Sequence, residues 1–190
     1  MTKIGLLFPG QGSQYIGMGK DLYEEIPSAK KIMDDANEIL DFNIKEIIFD
    51  GNEEDLRATE IAQPAIFIVS AMYLEKYKQQ LKEDFKMVAG HSLGEYTALY
   101  AAGVIDYANG LKLVRKRGIA MSQKNSLGTM YAVMGVKLEE IVKCIEEYNE
   151  KVVIANINSK NQIVISGYIY EITNAVEKLS NIEGAKIKEL

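Results

Sequence analysis

Residues 85–103 read FKMVAGHSLGEYTALYAAG. No other stretch restricts the fold as tightly. A short apolar run, FKMVAG, enters a Gly-x-Ser-x-Gly turn at residues 90–94, and a run of small and apolar residues leaves it directly. Strand, sharp turn and helix, in that order, make a nucleophile elbow. Gly90 and Gly94 flank Ser92 and admit a turn that side chains would obstruct. Such a turn exposes the Ser92 hydroxyl beside a helix N-terminus. Free amides there, the Leu93 N–H first among them, are able to hold a developing oxyanion. The competing reading is a glycine-rich structural turn around a buried serine; the strand and helix on either side weigh against it.

A serine nucleophile needs a proton acceptor, usually histidine. The chain has one histidine, His91, next to the serine itself. Adjacent side chains at a strand end point to opposite faces, so this ring is a poor candidate for the base. Support of the elbow by hydrogen bonding suits it better, and a purely structural histidine remains open.

Around the elbow the pattern is α/β. KIGLLF (3–8) is an apolar run stopped by PGQG, as expected for a buried parallel strand. DLYEEIPSAKKIMDDANEIL has helical spacing with Pro27 near a helix start, and NIKEIIF suggests a short helix. Pro64 is expected in the first turn of a long, largely buried helix through AIFIVSAMYLEKYKQQL. Asp106 is the expected N-cap of a helix over YANGLKLVRKRGIAMSQK. Past residue 127 the pattern changes. TMYAVMGV (129–136), KVVIANIN, NQIVISG and AKIKEL read as strands, with LEEIVKCIEEY (138–148) and YEITNAVEKLS as helices. The order βαββαβ is the ferredoxin-like unit. The expected domains are therefore 1–127, carrying an incomplete parallel sheet, and 128–190, the small ferredoxin-like one.

Charge and cysteine content exclude several classes. Lys and Arg number 22 against 27 Asp and Glu, a net −5 that argues against a general nucleic-acid surface. The densest basic stretch, KLVRKRG at 112–118, does not change that view. One cysteine, Cys144, excludes an internal disulfide and argues against a cysteine-based metal site; its amphipathic context suits a small core residue. The N-terminal apolar run is too short for a signal segment, and no run reaches the ~20 apolar residues of a membrane helix. A cytoplasmic setting is expected.

Two further constellations bear on chemistry. FPGQGSQYIGMGK (8–20) fails as a Walker A loop, because Met18 follows Gly17, and as a dinucleotide fingerprint, because Tyr15 stands where the third glycine belongs. What remains is a strand ending in a loop that exposes Gln11 and backbone amides, one of which is able to complete an oxyanion hole. A plain strand-to-helix turn is the alternative. The second is the cluster Lys112, Arg115, Lys116 and Arg117, by default a solvated face. An arginine turned toward Ser92 would grip a carboxylate through two parallel hydrogen bonds and would imply an acidic substrate.

Together, FPGQGSQ, GHSLGEYTAL and KRGIAM, in this order, resemble the malonyl-CoA:acyl carrier protein transacylases and the wider family of acyltransferase domains in fatty acid and polyketide synthases. NINSKNQIVISG is similar to a stretch of that family's small subdomain. The resemblance implies a hydrolase-like α/β subdomain with a ferredoxin-like one inserted. It implies Ser92 as the acyl-carrying nucleophile and Gln11 and Leu93 as oxyanion-hole amides. Arg117 would hold the malonyl carboxylate, and His91 would join the substrate-binding set beside the nucleophile. It further implies malonyl-CoA and acyl carrier protein as partners, no cofactor and no metal, and a monomeric complete protein. The reaction would pass through an acyl-serine in fatty acid or polyketide synthesis. A polyketide-type transferase using another dicarboxylic extender, an esterase with the same elbow, and a non-catalytic relative that docks a carrier protein are the alternatives.

In that family the catalytic histidine follows the small subdomain, in a Val-Ser-x-x-Phe-His-Ser-like segment; these 190 residues show none after AKIKEL. The expectation is a fragment of a longer protein, with the base outside it. A base from a second chain is the other possibility for a working enzyme. No lysine stands at S-x-x-K spacing after Ser92.

Overall fold

The computed structural model describes residues 4–80, 85–123 and 127–190. Lys3, Leu81 and Lys124, at the ends of the expected first strand, long helix and basic helix, lie outside them. The chain divides into two compact units, 1–124 and 125–190.

In the first unit, β1 (Ile4–Phe8) pairs in parallel with β2 (Phe85–Gly90), placing Phe8 opposite Gly90. Parallel neighbours need a long crossover. Among the described residues five helices supply it: α1 (Lys20–Glu25), α2 (Pro27–Leu40), α3 (Ile44–Asp50), α4 (Glu53–Arg57) and α5 (Thr59–Gln80). Pro27 stands at a helix start, as its sequence suggests: it opens α2, where its missing N–H costs nothing. The short α4 was not anticipated; Asn52 caps it by accepting from Asp55 N–H.

The core forms around α5. Its residues from Ala62 to Met72 are all buried, as in a helix surrounded by protein. Phe67 is fully buried, stacked on Tyr107 and tilted against Tyr100. Burying a ring of that size contributes about 2–3 kcal/mol. Leu22, Met33, Ile44, Ile48 and Leu56 complete the cluster from the other crossover helices.

Pro64 corrects the expectation. It sits inside α5, in its second turn, rather than in the first. A proline there cannot donate to the carbonyl four residues back, that of Glu60. Arg115 of α7 (Tyr107–Ser122) supplies the donor instead, from Nη1 to Glu60 O. The defect in one helix thus becomes an attachment point for another. Gly118 allows the approach, since a Cβ there would stand 2.8 Å from Glu60 Cα. At the other end of α7, Asp106 is the cap its sequence suggests, accepting from Asn109 N–H at 2.7 Å. The Tyr107 phenol donates to Ile32 O at 2.8 Å, and burial pushes its pKa up, keeping it a neutral donor.

The second unit contains β3 (Gly128–Met134), α8 (Leu138–Ile145), a 3-10 turn (Glu146–Tyr148), β4 (Val152–Ser159), β5 (Gln162–Tyr168), α9 (Ile169–Ser180) and β6 (Lys186–Glu189). The sheet order is β4-β5-β3-β6, antiparallel throughout, which is the ferredoxin-like arrangement. Val133, Ile163 and Ile165 of the sheet pack with Ile141, Ile172 and Leu179 of the two helices. Cys144 is half-buried, its thiol directed at Ala175 O, and burial raises its pKa. That is the environment of an unreactive packing residue.

Candidate active site

β2 delivers the chain to the turn, and α6 (Gly94–Ala101) carries it away. His91 N–H donates to Phe8 O at 3.1 Å, so the turn starts where β1 ends. Ser92 then takes φ +52°, a left-handed conformation costing a non-glycine residue about 1–2 kcal/mol. Gly94 N–H donates back to His91 O at 2.9 Å and closes the turn. Both glycines are required sterically. A Cβ at Gly90 would stand 1.9 Å from Gly94 C, and one at Gly94 would stand 2.2 Å from Phe8 O. Backbone on every side leaves no room to yield. Gly90→Ala is therefore expected to destabilise the protein by about 3 kcal/mol, read by chemical denaturation. Unaltered stability would show that the elbow is not packed this way.

Strain in a serine at such a turn serves exposure. Ser92 is exposed, whereas Leu93 behind it is fully buried. Among the described residues, the amides of Leu93 and Gln11 make no hydrogen bond. Gln11 lies in the loop after β1 and donates from Nε2 to Thr59 Oγ1 at 3.2 Å. The His91 ring lies against that loop, its Nδ1 2.8 Å from where a Cβ on Gly10 would be.

The basic helix resolves into separate roles. Lys112 and Lys116 face solvent, as a charged helix surface should. Arg115 serves Glu60 O and lies over the Phe42 ring. Arg117 turns to the elbow: Nη2 donates to Ser92 Oγ at 2.9 Å, and Nη1 donates to Gln63 Oε1 at 2.7 Å. Its guanidinium carbon stands 5.9 Å from the centre of the Tyr96 ring. The sequence reading missed Gln63 and Tyr96. Gln63 carried a signal, being a long polar side chain inside the buried apolar run of α5, where it needs a partner. Tyr96 carried none.

An apolar hollow of about 410 Å³ lies beside β1 and α5, lined by Leu7, Met18, Val69 and Tyr73 among others, but not by Ser92 or Arg117. Among the described residues no group of three acidic, histidine or cysteine side chains is placed to hold a metal, and no helix is long and apolar enough to cross a membrane.

The arrangement joins an exposed hydroxyl on a strained turn, the Leu93 amide at the start of α6, and a guanidinium at the hydroxyl. The family model for the acyl transferase domain matches residues 6–189. The chain belongs to the acyl transferase domain family. Among curated relatives, the chain is 44% identical over 192 residues to the malonyl CoA-acyl carrier protein transacylase of Bacillus subtilis, covering 98% of this chain and 60% of the relative. It is 47% identical over 175 residues to the polyketide biosynthesis malonyl CoA-acyl carrier protein transacylase PksC of the same species, covering 90% of this chain and 59% of the relative. Among solved structures, the acyl carrier protein S-malonyltransferase of Vibrio cholerae superposes with a TM-score of 0.92 at 36% identity, over 100% of this chain and 63% of that one. The chain thus spans about 60% of the length of the curated relatives it matches.

Proposed function

We propose that this chain forms the acyl-carrying part of an enzyme that moves a malonyl group from malonyl-CoA to the phosphopantetheine thiol of an acyl carrier protein. The observation that carries the reading is the Arg117 guanidinium at 2.9 Å from Ser92 Oγ. A fixed cation at the nucleophile has no use in cleaving a neutral ester, which sets the esterase reading aside. It suits an acyl group with a free carboxylate at its far end. The activities after which the relatives in Bacillus subtilis and Vibrio cholerae are named point the same way.

In the first half-reaction Ser92 Oγ attacks the thioester carbonyl carbon. A C–O bond forms, the carbonyl oxygen takes the charge, and the Leu93 and Gln11 amides receive it. Each such donor is typically worth roughly a hundredfold or more in rate. The C–S bond then breaks, CoA leaves as its thiol, and malonyl remains as an ester on Ser92. The carrier protein's thiol reverses these bond changes. Arg117 holds the carboxylate throughout, and His91 lines the approach from the Gly10 side. Ser92 Oγ accepts from Arg117 Nη2, and that guanidinium has no lone pair to take a proton. The reading therefore requires a base from outside the described residues, positioned when the full-length protein is assembled. The setting is a cytoplasmic pathway that builds fatty acids or polyketides.

Intact-mass measurement tests this. The full-length protein incubated with malonyl-CoA is expected to gain one malonyl group, on the peptide containing Ser92, and to lose it on addition of carrier protein bearing phosphopantetheine. An unmodified Ser92 after incubation would sink the proposal and leave a docking scaffold.

A further inference from the structure

We infer that Gln63 is a positioning residue that keeps the charge of Arg117 open for the substrate: it holds the guanidinium by one edge with a neutral acceptor where an acid of the same length would cancel it. The inference rests on the malonyl reading above and deepens it.

Gln63 is fully buried, one turn into a helix that is otherwise apolar at this level. A buried amide must use its polar atoms. Its Oε1 accepts from Arg117 Nη1 at 2.7 Å, and its Nε2 donates to Met121 Sδ at 3.3 Å. The network dictates this orientation of the amide, since the reverse would set an NH2 against a guanidinium and an oxygen against a thioether. With Nη1 tied, the remaining edge of Arg117 is the one offered at Ser92.

Among the described residues, the groups that hydrogen-bond to this cation or lie under it are neutral: the Gln63 amide oxygen, the Ser92 hydroxyl and the Tyr96 ring. None of the ion pairs among the described residues includes Arg117. Arg115, the other half-buried arginine of α7, also has no ion pair among the described residues, but it is spent on the Glu60 carbonyl. Lys20, Lys31, Lys45, Arg57, Lys78, Lys151 and Lys178 all have a carboxylate partner. Glutamate at position 63 would place an oxygen where Gln63 Oε1 lies and a second where Nε2 lies. It would pair with Arg117 permanently and compete with any carboxylate arriving at Ser92. Glutamine gives the same reach and the same hydrogen bond without the charge. Position 63 thereby governs whether the pocket selects an acidic acyl group.

The test uses the full-length protein as wild type, Gln63→Glu and Gln63→Met, with acyl loading from malonyl-CoA and acetyl-CoA followed by intact mass and KM separated from kcat. In Gln63→Glu the malonyl-over-acetyl ratio is expected to fall about a hundredfold, through KM for malonyl-CoA, with acetyl loading within about threefold of wild type. Gln63→Met leaves the charge open and only loosens its pose, so a fall of about tenfold is expected. A merely structural role would lower both acyl groups together and leave the ratio unmoved. A Gln63→Glu ratio within threefold of wild type overturns the inference. If Gln63→Glu fails to fold, loading of neither group shows it, and Gln63→Met decides: a fall of fivefold or more supports the role, and an unchanged ratio overturns it. Failure of the wild type to load malonyl would be a different result. It would remove the proposed function itself, and with it this refinement.

Discussion

A full-length protein with Ser92→Ala is expected to take no acyl group from malonyl-CoA, with turnover lower by at least about 10⁴-fold. The methyl side chain has no lone pair to attack the thioester, and no neighbouring hydroxyl stands within the elbow to replace it. The fold should survive. Alanine inherits the left-handed φ of +52° without adding to its strain and loses only the hydrogen bond from Arg117. That bond contributes about 1 kcal/mol, so the melting temperature should move by only a few degrees. Ser92→Gly separates activity from strain more sharply. Glycine accepts positive φ freely, so this variant should be equally inactive yet recover about 1 kcal/mol relative to Ser92→Ala. Residual acylation at wild-type rates in either variant would move the nucleophile elsewhere.

Arg117→Ala should lower malonyl loading by about 10²–10³-fold, the usual consequence of removing one partner from a desolvated charge pair. Acetyl loading should be spared or improved. The two effects have one origin: the malonyl carboxylate would be left beside Ser92 with no cation, whereas acetyl never needed one. Arg117→Lys should fall between them. A lysine keeps the charge but cannot bond Gln63 Oε1 and a carboxylate with a planar fork. Some stability will be lost in either variant, because Gln63 is fully buried and its oxygen would lack its present donor. Unchanged malonyl preference in Arg117→Ala would reject its assignment to the carboxylate. Gln63→Glu alters the same preference with Arg117 still present, so the two experiments test the cation and its neutral support independently.

The elements were largely legible because their signals are local. FKMVAG ahead of Gly90 and small residues after Ser92 announce strand, turn and helix within twenty positions, and the structure has β2, the turn and α6 there. The capping role of Asp106 and the alternation of strands and helices past residue 127 were legible for the same reason. Pro64 was misplaced by a rule that is sound for isolated helices. The freed Glu60 carbonyl is satisfied by Arg115, 55 positions away, and nothing near Pro64 in the chain announces that donor.

Local pattern likewise nominated Ser92 and Leu93 and the loop at Gln11, and narrowed the basic helix to two arginines, of which only the family resemblance named Arg117. Residue types and spacing suffice to say that a hydroxyl will be exposed on a strained turn, because the turn is built from neighbours whose sterics act over a few bonds. Which arginine faces that hydroxyl, and that a glutamine holds it there, were decided by the packing of α7 against α5. That contact depends on the missing side chain of Gly118, on the carbonyl left free by Pro64, and on the burial of Gln63 between the two helices. These are encounters between residues more than fifty positions apart, set by how helices fit together, and no periodicity along the chain encodes them.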